Sequence, residues 1–108
     1  MHPKYFKDKI IEELNAACDY LKKALDVAIS HPTWAKKFVS MSEDRYNHVL
    51  YLYAMFMQLY KDSEDSDTYM NSIRDGIIDG ISNTHQKMES YKMAYELLIG
   101  SSDSNEGG

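Results

Sequence analysis

Three stretches of the chain repeat apolar residues every three or four positions, the signature of a helix with one buried face, and none alternates with the period of two expected of a strand. The first begins at about Pro3, a residue suited to the first helical turn. It carries Ile10, Leu14, Ala17/Cys18, Leu21, Leu25 and Ala28 along one side. It stops at Ser30-His31-Pro32, because proline disfavours helical backbone in the residue before it and can itself open a new helix. The second runs from about Thr33 to Lys61, with the stripe Trp34, Phe38, Met41, Arg45, His48/Val49, Leu52, Phe56, Leu59. Tyr46, Leu50, Tyr53, Met57 and Tyr60 make its other sides apolar too, so this helix needs cover on more than one face. It is expected to be the central helix, a subunit-contact helix, or both, and those five residues are the candidate interface.

A loop from Asp62 to Ser66 follows, with Ser66 or Asp67 as N-cap. The third helix then runs from about Asp67 to Ile99 on the stripe Met70, Ile73, Ile77, Ile81, Thr84, Met88, Tyr91, Tyr95, Leu98. Gly76 and Gly80 lie inside it, each costing roughly 1 kcal/mol relative to alanine. A kink or local fraying is the expected consequence, and a close helix-helix approach the alternative. The pattern predicts an all-α fold: a three-helix antiparallel bundle over residues 1–99 (helices about 3–29, 33–61 and 67–99) with the second helix central. A disordered tail, rich in Ser and Gly, is expected from Gly100 to Gly108.

The length, 108 residues, is that of one domain with a modest core. The formal net charge of -5 argues against a nucleic-acid surface, which needs clustered Lys and Arg. The acidic run Asp62, Glu64, Asp65, Asp67 reads as a solvated loop. A single cysteine, Cys18, excludes an intramolecular disulfide. No apolar run approaches transmembrane length and the N-terminus lacks a signal-peptide core, so no membrane role and a cytoplasmic location are expected.

Most reactive side chains have an ordinary explanation. Cys18, beside Leu14 and Leu21, reads as a core thiol with no cation near it in sequence. His2 and His31 adjoin prolines at helix starts and read as capping or exposed. His85 and Glu89, four apart, read as a surface pair, and Asp75 and Asp79 as a solvated face. Glu13, Arg45 and His48 differ. Glu13 borders the first stripe, while Arg45 and His48 sit within the second. In a hairpin turning near Ser30 to Thr33, residues equally distant from the turn meet, which brings these three to one level. An inward Glu from one helix and a carboxylate-x-x-His from the next is how di-iron carboxylate bundles build their sites.

From Ile10 to Tyr60 the chain resembles the ferritin-like, rubrerythrin-type hairpin, above all in short helical proteins encoded by phages and prophages of gut bacteria. The likeness rests on Glu12-Glu13-Leu14 and on Met41-Ser42-Glu43-Asp44-Arg45-Tyr46-Asn47-His48. His48 matches the family histidine, but Arg45 stands where the resemblance implies a metal-binding Glu. A guanidinium stays protonated and cannot become a ligand. Glu13 and His48 alone are too few for iron or manganese. Arg45 is therefore expected to replace the metal by pairing with Glu13, against the alternative that it snorkels to solvent. The resulting expectation is a non-enzymatic helical interaction protein of phage or prophage origin, without catalytic residues or cofactor. It would self-associate and bind a protein partner in the host cytoplasm or the virion, for instance a host defence enzyme. The alternative is a ferritin-like iron or manganese protein or oxidoreductase using Glu13 and His48, with Glu43 or Asp44. A nucleic-acid-binding bundle is the second alternative.

Overall fold

The computed structural model describes residues 2–64 and 67–107, of which 101–107 are described by their backbone alone. Met1, Asp65, Ser66 and Gly108 lie outside the described residues, and with them the Ser66 N-cap. Three helices make up the fold: α1 (Pro3–Val27), α2 (Pro32–Lys61) and α3 (Thr68–Gly107). No strand occurs among the described residues, and no helix there is long and apolar enough to cross a membrane.

The helix starts follow their local chemistry. Pro3 and Pro32 open α1 and α2 at positions where the missing N–H costs nothing. The His2 ring caps α1, its Nδ1 accepting from the Lys4 amide at 3.2 Å. Asp67 caps α3, its Oδ1 accepting from the Met70 amide at 3.0 Å. At the far end, α3 continues from Gly100 to Gly107, where a disordered tail was expected. That stretch holds no proline, and no described glycine takes the positive φ that terminates a helix.

The helix at the centre is α1, not α2. α1 packs along both others, whereas the backbones of α2 and α3 scarcely approach each other. Phe6, Ile10, Leu14, Ala17, Leu21, Ala24 and Ala28 are buried on α1, one or two per turn. Of this set, the fully buried Ile10, Leu14 and Leu21 each contribute roughly 1.5–3 kcal/mol. Along α2 the buried residues are Ala35, Ser42, Val49 and Phe56, one every seven positions. This is the spacing of a seam between two helices lying nearly side by side. It departs from the expected stripe at two points: Trp34 is 56% and Met41 40% exposed, and the small Ala35 and Ser42 take the inward places beside them.

Core composition is graded along the bundle. Near the α1–α2 turn, Ala24, Ala28 and Ala35 meet under Tyr95. Ala17, Leu21 and Met88 form the middle. The far end is filled by Phe6, Ile10, Leu14, Val49, Phe56, Met70, Ile73 and Ile77. Small residues allow close backbone approach at the turn, and the aromatic pair Phe6–Phe56, 6.3 Å between centroids, fills the wider end.

α3 runs unbroken through Gly76 and Gly80, so the expected local fraying is not seen. Both face α1. A Cβ at Gly80 meets Leu14 Cδ1 at 3.8 Å and Ile11 Cγ1 at 3.9 Å, and one at Gly76 falls 2.9 Å from Lys7 Cε. Two side chains are removed where α3 lies against α1.

Candidate functional site

Glu13, Arg45 and His48 come together where α1 and α2 pack, as their equal distance from the turn implies. Glu13 lies three residues after Ile10 on α1 and is 4% exposed, the one buried charged side chain among the described residues. Arg45 lies three residues after the buried Ser42 and four before the buried Val49, at the rim of the same seam. Its Nη1 donates to both carboxylate oxygens of Glu13, at 3.2 Å each. One nitrogen thus serves two oxygens, end-on, rather than a guanidinium fork meeting a carboxylate fork. The hydrogen bond and charge of Glu13 raise the Arg45 pKa further above its ordinary value, with a smaller contribution from the Tyr20 hydroxyl. His48 Nδ1 lies 3.5 Å from Glu13 Oε2, an ion pair whenever the imidazole is protonated. The Arg45 side chain is 41% and the His48 side chain 54% exposed, so both sit at the water edge and only the carboxylate is inside.

Two polar groups that the apolar pattern does not reveal complete this level. Tyr20, seven residues after Glu13 on the same side of α1, stacks on Phe38 with 6.2 Å between centroids and 20° between planes. Ser42, fully buried one turn before Arg45, donates from Oγ to the Ala17 carbonyl at 2.7 Å. A seven-residue step from Glu13 is the signal that finds Tyr20; Ser42 has none beyond its small size. Outside the pair an open groove of ≈ 250 Å³ runs between Tyr5 and Lys9 of α1 and Tyr51 and Met55 of α2.

The arrangement does not fit an iron or manganese ion. Among the described residues no three His, Cys, Asp or Glu side chains gather closely enough to hold a metal. Glu43 and Asp44 are exposed, and the carboxylate oxygens of Glu13 both face a permanent cation. A dication there would meet two protein ligands and a guanidinium, where such ions take four to six donors.

The remaining candidates fall elsewhere. His85 Nε2 stands 3.9 Å from Glu89 Oε1, both about half exposed. His31 stacks on Trp34 at 4.1 Å between centroids and makes no capping bond. Asp75 pairs with Arg74 at 3.0 Å. Cys18 is half-buried; burial pushes its thiol pKa up and outweighs Lys87 and Lys22, cations that do approach it in the fold.

The five candidate interface residues divide. Tyr46, Tyr53 and Tyr60, seven apart, turn toward α3 and the core. The Tyr60 hydroxyl donates to Asn71 Oδ1 at 2.5 Å and accepts from Arg74 Nη1 at 2.6 Å, under a cation–π contact of 5.0 Å. Met57 is half-buried and Leu50 is 48% exposed. Comparison with known protein families, with curated proteins and with solved structures finds no match for this chain.

Proposed function

We propose that this chain is a non-enzymatic helical interaction protein of phage or prophage origin, self-associating and binding a protein partner in the host cytoplasm or the virion. In this reading it is an antiparallel bundle derived from a ferritin-like hairpin, with Arg45 standing in for the metal. The observation that carries the reading is the surface of α2. Trp34, Met41, Tyr51 and Met55 are 40–67% exposed on one flank of its α1 seam, and Leu50 is 48% exposed on the other. Large apolar side chains gathered on one helix of a small protein mark a contact surface. The end-on Glu13–Arg45 pair supports the loss of metal. Contacts that descend α2 as they ascend α1, from Phe6–Phe56 through Glu13–Arg45 and Ala17–Ser42 to Tyr20–Phe38, support the antiparallel hairpin.

Light scattering on the purified chain tests the self-association. The expected mass is a multiple of that of one chain; a monomer at every concentration reached overturns this part of the reading. A pull-down from host lysate, compared with a variant carrying Tyr51→Asp and Met55→Asp, tests the second partner. A protein retained by the native chain and lost with the variant is the expected result, and equal recovery with both counts against the proposed surface.

A further inference from the structure

Because α2 and α3 both rest on α1 and diverge from each other, a groove of ≈ 530 Å³ opens between them. Tyr46, Tyr53 and Ile81 line its floor, and Leu50 and Ile78, 48% and 44% exposed, form its edges. Leu50 also belongs to a column that runs along the outer side of α2, next to the groove: Glu43, Asn47, Leu50, Ala54, Met57, Lys61. Its steps alternate four and three, the spacing of a coiled-coil seam, over about 27 Å of helix. All but the half-buried Met57 are exposed. Glu43 and Lys61, at its two ends, have no ion-pair partner among the described residues.

This column is complementary to itself. Turned end for end about position 52, it sets Leu50 against Ala54, Asn47 against Met57, and Glu43 against Lys61. The bulkier residue meets the smaller at the centre, and each unpaired charge meets its opposite at the ends. A foreign helix would need the same sequence of charge and size to do as well, and a second copy of this chain already has it. We propose that a second copy packs on this column at the edge of the groove, α2 against α2 in opposite directions, with Glu43 of each copy paired to Lys61 of the other. This rests on the reading of the chain as self-associating, and assigns that association to one face and one register.

Sedimentation equilibrium on the full chain tests it. The native chain is expected to be a dimer. Glu43→Lys or Lys61→Glu replaces two attractive pairs by two repulsive ones and weakens the dimer about tenfold. The double variant Glu43→Lys/Lys61→Glu restores the affinity to within about threefold of the native value. Leu50→Asp gives a monomer, and Asp26→Lys, at an exposed position of α1, leaves the dimer intact. The exposed charge variants keep the test informative even where Leu50→Asp perturbs folding. A monomeric native chain overturns both this assignment and self-association. A dimer indifferent to Leu50→Asp but dissociated by Tyr51→Asp, in the apolar flank with Met55, overturns this face alone. Single swaps that weaken the dimer without rescue by the double overturn the register.

Discussion

Met41 and Ser42 are neighbours on α2, yet the fold gives them opposite sensitivities. Ser42 is fully buried against α1, its Oγ held 2.7 Å from the Ala17 carbonyl, with Ala17 itself completely buried. Ser42→Met removes that hydrogen bond, at about 1 kcal/mol. It also forces a longer side chain into a seam with no free space, at about 1–3 kcal/mol. The sum is about 2–4 kcal/mol, or roughly 8–16 °C in melting temperature for a domain of this size. Met41 is 40% exposed. Met41→Ser loses partial burial and a little helix propensity, about 1 kcal/mol at most. Urea titration followed by far-ultraviolet circular dichroism measures both. Equal losses, or a larger loss for Met41→Ser, would refute the placement of the α2 seam on Ala35, Ser42, Val49 and Phe56.

Other substitutions probe the polar pair, the glycines and the thiol. Arg45→Met leaves a buried carboxylate without its cation, whereas Glu13→Leu leaves a half-exposed cation that water can take over. Thermal melts should therefore show Arg45→Met as the more damaging of the two, and the reverse order would contradict a buried Glu13. Gly80→Ala places a methyl group in ordinary contact with Leu14 and Ile11 and should stabilise by about 1 kcal/mol in urea titration; destabilisation would mean a tighter α1–α3 contact. Since burial raises the Cys18 pKa, its thiolate is scarcer at pH 8 than that of an ordinary thiol. Alkylation followed by mass spectrometry should be slow in buffer and fast in urea, and equal rates would contradict the burial.

The number and starts of the helices are legible in the sequence because prolines, a capping Asp and periodic apolar residues act locally. Pro3, Pro32 and Asp67 mark their helix starts to within a residue or two. The level of Glu13, Arg45 and His48 is legible for a related reason: a short turn fixes which residues of a hairpin lie opposite. The face of α2 is less so. Bulk draws attention to Trp34 and Met41, but the seam belongs to the smaller Ala35 and Ser42, since close packing near a tight turn excludes large side chains. The same bias misplaces the centre of the bundle. Apolar residues around α2 imply cover on several sides, yet α1, with its alanines and its contact to Gly76 and Gly80, is the helix packed on two sides. Part of the apolar excess on α2 remains at the surface.

The replacement of a metal by Arg45 is tested most directly by elemental analysis of protein purified without chelators and then dialysed against iron(II) or manganese(II). With one guanidinium nitrogen 3.2 Å from both oxygens of Glu13, the expected result is metal far below one ion per chain, unchanged by Glu13→Gln or His48→Ala. Stoichiometric iron or manganese that disappears with either substitution would contradict it.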